Sequence, residues 1–140
     1  MAAALVTATL LLGGCSAGGA ISLTSGPTAA AAPAAGADLS PADFAAAAKL
    51  PSTVLLDVRT PAEFASGHLV GAVNLDLQSP GFAQSLASLD PAKTYAVYCH
   101  SGNRSKVAMG AMQQVGFTHV YDLAGGITAW QSSGGQVVTG

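Results

Sequence analysis

Thr94-Tyr95-Ala96-Val97-Tyr98-Cys99-His100-Ser101-Gly102-Asn103-Arg104-Ser105 is the stretch on which the fold turns. Its first five residues are β-branched, aromatic or apolar and predict a buried strand. Beyond it, Val107, Ala108, Ala111 and Met112 recur at helical spacing. A cysteine therefore stands where a strand ends, a polar turn follows, and a helix begins. The amides of such a turn and of the first helical turn have no partners within the helix. They converge on the loop centre, where the helix dipole adds positive potential. A sulfur anion held there is stabilised, which makes Cys99 a candidate nucleophile. The competing reading is a small buried hydrophobe, the commoner role of a free cysteine. The neighbours argue against it. Ser101, Gly102 and Asn103 suit an exposed tight turn, Gly102 admits positive φ so that successive amides point inward, and Arg104 offers a fork of donors for an oxyanion. His100, Ser101, Gly102, Asn103 and Arg104 are accordingly the candidate substrate-binding residues.

Outward from this stretch, strand and helix signals alternate. Thr53–Val58 is a continuous apolar run of the kind found in a central parallel strand buried on both faces. Ala72–Leu75 and His119–Leu123 read as further strands. Ser40-Pro41-Ala42-Asp43 predicts a helix start running to about Leu50, and Thr60-Pro61-Ala62-Glu63 a second, capped through Thr60. Phe82–Leu89 and Ser105–Val115 read as helices, the latter ended by Gly116, and Gly125-Gly126 leads into a short helix through Trp130. The tail from Ser132 is expected to be loose, with Val137 and Val138 as its packing residues. Alternation of this kind predicts a parallel sheet with helices on both faces, and a site at the carboxyl ends of the strands, where Asp57 and Cys99 both fall.

Three motifs in order resemble the rhodanese family of sulfurtransferases. Cys99-x-x-Gly102-x-Arg104 looks like its active-site loop, Leu56 to Asn74 (Leu-Asp-Val-Arg-Thr-Pro-Ala-Glu-Phe-Ala-Ser-Gly-His-Leu-Val-Gly-Ala-Val-Asn) its early signature, and Gly116 to Trp130 its late one. The similarity spans about Asp38 to Val138. Val70 departs from the pattern, since many members carry proline there. The resemblance implies a single rhodanese-like α/β domain with a five-stranded sheet. It also implies a Cys99 persulfide and a structural pair between Arg59 and Glu63, four residues apart beneath the loop. Asp57 either orients the loop amides or Arg104, or simply ends its strand. His68 is read as a turn-stabilising residue and Trp130 as core.

The 140 residues are 50% hydrophobic and 9% charged with a net charge of −2, which suits one domain. No basic face is built, so nucleic acid is not an expected partner. The two cysteines, Cys15 and Cys99, sit in unrelated contexts, and no Cys/His cluster suggests a metal. Residues 1–14 read as a signal peptide: a short apolar run, then Leu12-Gly13-Gly14-Cys15, similar to a bacterial lipobox whose cysteine carries lipid. No Lys or Arg precedes the run. Residues 16–37 hold only small residues, prolines and a few aliphatics, and are expected to be a flexible tether with a reach on the order of 25 Å. The predicted location is the bacterial cell envelope, lipid-anchored on the extracytoplasmic side, with the folded domain at 38–140.

Three functions compete. The first is a sulfurtransferase, taking sulfur from a donor such as thiosulfate onto Cys99 and giving it to cyanide, a thiol or a protein acceptor, with no cofactor. The second is a cysteine phosphatase, whose loop between cysteine and arginine is one residue longer than His100–Asn103. The third is a non-catalytic sulfur carrier or sensor on the envelope.

Overall fold

Residues 20–140 are described by the computed structural model. In chain order they form β1 (Asp38–Leu39), α1 (Pro41–Ala48), β2 (Thr53–Asp57), α2 (Pro61–Ser66), β3 (Val73–Asn74), α3 (Phe82–Ala87), β4 (Thr94–Tyr98), α4 (Asn103–Gln114), β5 (Val120–Leu123) and α5 (Gly126–Ser132). The five strands make one sheet in the order β1-β5-β4-β2-β3, every neighbouring pair parallel. The long apolar strands β2 and β4 lie at its centre in full register, Thr53 beside Thr94 through Asp57 beside Tyr98.

Alternate residues of these strands feed two cores, because side chains point to opposite faces of a sheet. On one face Leu55, Ala96, Tyr98, Tyr121 and Leu123 meet Phe44 of α1 and Ile127 and Trp130 of α5. On the other, Leu56, Tyr95, Val97 and Val120 meet Leu86 of α3 and Ala108, Met109 and Met112 of α4. Cys99 continues the second face, and Asp122 points the same way as Val120. The caps read from the sequence form: Ser40 accepts from Asp43 N at the start of α1, and Thr60 and Glu63 make a reciprocal capping box at the start of α2.

The structure departs from the sequence reading in four places. β1 has no apolar pattern; it exists because Asp122 N and Ala124 N donate to Ala37 O at 2.8 Å and Leu39 O at 2.9 Å, completing the fifth strand. α4 begins at Asn103 rather than Ser105, since Gly102 takes φ +99° and turns the chain directly into the helix. The tail closes back, with Val138 and His68 exchanging two backbone hydrogen bonds of 2.8 Å. Finally, residues 20–37 are not a free tether. Ile21, Leu23 and Ala29 pack on the core beside α1, and Lys49 Nζ donates to the carbonyls of Ser22 and Ser25 at 3.0 and 2.8 Å. Among the described residues no helix is long and apolar enough to cross a membrane. Cys15 and the signal-like segment lie outside them.

Candidate active site

The site grows from the end of the central strand. After Tyr98 the chain reaches Cys99, turns through His100, Ser101 and Gly102, and enters α4. Cys99 is 1% exposed, at the floor of the turn. Its Sγ accepts from Gly102 N at 3.1 Å and from Ser105 Oγ at 3.4 Å. His100, Ser101 and Asn103 form an exposed rim.

The start of α5 clamps the turn from the side. Ile127 N donates to Cys99 O at 2.9 Å, and Thr128 donates to His100 O through its amide at 3.2 Å and its hydroxyl at 3.0 Å. This close approach requires glycine at 126, where a Cβ would fall 2.5 Å from both Cys99 O and His100 O. Beside the rim lies a cleft of about 290 Å³ lined by Arg59, Glu63, Gly67, His100, Ile127 and Gln131 among others.

Each arginine near the loop has a carboxylate partner, and these are not the partners the sequence suggests. Arg104 Nη1 and Nη2 bind the two Glu63 oxygens at 2.8 and 2.6 Å. The fork assigned to an oxyanion is thus occupied by Glu63, because the first turn of α4 packs beside the capped start of α2. Arg104 mainly, with Thr60, holds the Glu63 carboxyl down at about 2. Arg59 in turn pairs with Asp57, not with Glu63, from Nη2 at 2.6 Å and Nε at 2.9 Å. Asp57 therefore neither touches Arg104 nor merely ends β2. It also accepts from Arg59 N at 3.0 Å, while Arg59 Nη2 donates to Gly67 O at 2.7 Å. Asn74 Nδ2 adds bonds to the carbonyls of Asp57 and Arg59 at 3.0 and 2.8 Å. The corner after β2 is thereby fixed. His68 stacks on Phe64 with ring centres 3.7 Å apart, and its Nδ1 lies 2.9 Å from Phe64 O.

Two residues that the sequence reading did not single out complete the site. Ser105 is fully buried and touches the sulfur; a serine opening the helix after the turn was its only signal. Asp122 is fully buried behind it, and neither of its carboxyl oxygens has a hydrogen-bond partner. Burial pushes its carboxyl up to about 6. Its signal was a carboxylate in the apolar run Val120–Leu123. Among the described residues no group of three or more metal-binding side chains occurs.

A parallel α/β sheet whose central strand delivers a buried cysteine into the turn that opens the next helix is the frame of the rhodanese class. The chain belongs to the rhodanese-like domain family, whose profile matches residues 40–133. It is 34% identical over 89 residues to the thiosulfate sulfurtransferase GlpE of Pseudomonas entomophila, covering 64% of this chain and 80% of that one. Its structure is similar to that of a rhodanese-related protein from Thermoplasma volcanium, with a TM-score of 0.65 and 31% identity over 73% of this chain and 97% of the other. A Rhodopseudomonas palustris protein of unknown function, described as a possible tyrosine phosphatase, matches with a TM-score of 0.58 and 29% identity over 74% and 85%.

Proposed function

We propose that this chain is a sulfurtransferase that works through a Cys99 persulfide. Cys99 thiolate attacks the outer sulfur of a donor such as thiosulfate. The S–S bond of the donor breaks and the electron pair leaves with sulfite. A thiol, cyanide or a protein acceptor then attacks the terminal sulfur of the persulfide and releases Cys99 as thiolate. The observation that carries this reading is the cradle of Cys99, with Gly102 N at 3.1 Å and Ser105 Oγ at 3.4 Å aimed at one sulfur atom. The relatives named as thiosulfate sulfurtransferases support the same chemistry.

The phosphatase reading draws on the possible tyrosine phosphatase among the similar structures. Against it stand the four-residue spacing from Cys99 to Arg104 and the capture of the Arg104 fork by Glu63, which leave no free arginine for a phosphoryl group. We further propose that Cys15 carries a lipid and anchors the domain outside a bacterial membrane. Leu12-Gly13-Gly14-Cys15 supports this, and Cys15→Ser should then move the protein from the membrane to the soluble fraction.

Incubation with thiosulfate, followed by intact and peptide mass spectrometry, tests the main reading. One added sulfur on Cys99, lost on reduction and absent from Cys99→Ala, is the expected result. An unmodified Cys99 beside turnover of a phosphate ester would establish the phosphatase instead.

A further inference from the structure

The persulfide scheme leaves its thiol acceptor without a seat. The cleft beside the loop, about 290 Å³, is at the small end of ligand cavities, which run from roughly 300 Å³. Two residues join it to the sulfur. His100 follows Cys99 in the chain, and Ile127 N donates to Cys99 O at 2.9 Å. Ile127 and Val137 give the cleft apolar walls, while Arg59, Glu63 and Gln131 give it polar ones.

Which ligand suits it depends on the polar atoms already spent. The Glu63 carboxylate accepts from both terminal nitrogens of Arg104 and from Thr60, so its charge is compensated. Gly67 O accepts from Arg59 Nη2 at 2.7 Å. Arg59 itself is 4% exposed. Its Nε and Nη2 bond Asp57, and one face of the guanidinium lies over the Tyr98 ring, 5.7 Å from its centre. Among the described residues its Nη1 has no hydrogen-bond partner. In the buried part of the lining the unspent group is thus a hydrogen donor on a cation. Its bonds to Asp57 and Gly67 hold that cation still, so little side-chain freedom is lost when an acceptor arrives. The Gln131 amide and the His100 ring, both exposed and unbonded among the described residues, add donors at the mouth. One spare nitrogen suits a carboxylate oxygen and does not make the two-point grip that phosphoryl groups favour.

We propose that this cleft seats the sulfur acceptor, and that the acceptor is a short alkyl thiol carrying a carboxylate. The carboxylate bonds Arg59 Nη1 and the Gln131 amide, and its methylenes lie on Ile127 and Val137. Those walls favour an acceptor over the sulfonate of thiosulfate, which has no methylenes. The thiol gives its proton to solvent. Its sulfur then bonds the terminal sulfur of the Cys99 persulfide, and the bond from that sulfur to Cys99 Sγ breaks with the electron pair left on Cys99. The product is an alkyl persulfide that keeps the carboxylate.

The assignment rests on the persulfide reading, and two measurements on the full chain separate the two. In the first, Cys99 is loaded with thiosulfate, and its discharge is followed in a single turnover with 3-mercaptopropionate, 2-mercaptoethanol or cysteamine, at equal thiolate. The anionic thiol should reach half-maximal rate at about tenfold lower concentration than the other two, the scale of one charged hydrogen bond. Gln131→Glu should cut that preference about threefold and Gln131→Lys raise it about as much. Equal behaviour of the three thiols, or a preference that neither variant moves, overturns the proposal. So does a Gln131→Glu effect confined to loading by thiosulfate, which would give the cleft to the donor. The second measurement needs no sulfur transfer. Propionate titrated into the unloaded, 15N-labelled chain should saturably shift the Arg59 Nη1 signal and the amides of Gly67 and Ile127. An unmoved Arg59 signal overturns the seat. Propionate binding at Arg59 in a chain that never forms a persulfide would remove the sulfurtransferase reading and the acceptor with it. A persulfide that discharges without preference for the anionic thiol would remove the seat alone.

Discussion

At the scale of single residues, partner choice governs what the loop can do. Arg104 and Glu63 form a two-point pair that ties the helix behind the cysteine to the capped start of α2. Both side chains are part-exposed, so the pair is worth about 1 kcal/mol. If Arg104 acts through Glu63, Arg104→Ala and Glu63→Ala should lower kcat/KM by a similar factor, roughly tenfold, and the double variant should lose no more. A larger loss for Arg104→Ala alone would show direct contact with the donor. The pair also has a pH signature. The Glu63 carboxyl is depressed to about 2, chiefly by its hydrogen bonds from Arg104. Its contribution is therefore complete above the ordinary carboxylate range and lost as pH falls toward 2. The melting-temperature gap between wild type and Arg104→Ala should close over that interval. Asp122 behaves oppositely. Its carboxyl is raised to about 6 by burial, so it costs nothing at pH 3 and progressively more as pH rises through 4 to 6. Asp122→Asn should consequently be more stable than wild type at pH 7, by on the order of 2–3 kcal/mol in urea unfolding, and equal to it near pH 3.

Elements explain how a short turn becomes a fixed pocket. The turn is held by the ends of three of them: β4 delivers it, α4 continues it, and α5 grips its carbonyls. Gly126→Ala would drive a methyl group into Cys99 O and His100 O, at a backbone φ of +60° that alanine resists. We expect a loss of kcat/KM above tenfold and a destabilisation of about 1–3 kcal/mol, read from steady-state kinetics and thermal unfolding. Much of this scale was legible in the sequence. β2 and β4 announced themselves as apolar runs, and Ser40 and Thr60 capped the helices expected of them. β1 was not legible, because two residues carry no periodicity and their pairing with β5 is decided by tertiary contact. The loop cysteine was legible for the same reason that strands are, through local spacing. The ion pairs were not. Arg59 had two acidic neighbours within reach in sequence, and only the bend after β2 selects Asp57. The burial of Asp122 with both carboxyl oxygens unpartnered depends on how α4 covers β5, which a reading of local pattern does not reach.

For the whole molecule, the segment before β1 belongs to the fold. Gly36 N donates to Val120 O at 2.7 Å and Ala29 N to Ala46 O at 2.9 Å, beside the apolar contacts of Ile21 and Leu23. A chain beginning at Asp38 should therefore unfold at a temperature lower by roughly 5 °C or more, by differential scanning calorimetry. Composition concealed this, since residues of low complexity read as coil whether or not a groove exists to receive them.

The seating of that segment sets how far the protein stands from any surface that holds it. Only Ser16, Ala17, Gly18 and Gly19 separate Cys15 from Ala20, and Ala20 lines one cavity together with Trp130, Gln136 and Val138. Five peptide links reach at most about 18 Å fully stretched. With a lipid on Cys15, the domain is a low mast. On the proposed persulfide reading, an anchored Cys99 would offer its sulfur within a thin layer above the bilayer, where partners sharing that layer would be met by diffusion in two dimensions and bulky partners in bulk fluid rarely. Lengthening the chain between Gly19 and Ala20 should speed exchange with a soluble protein acceptor and leave small acceptors unaffected.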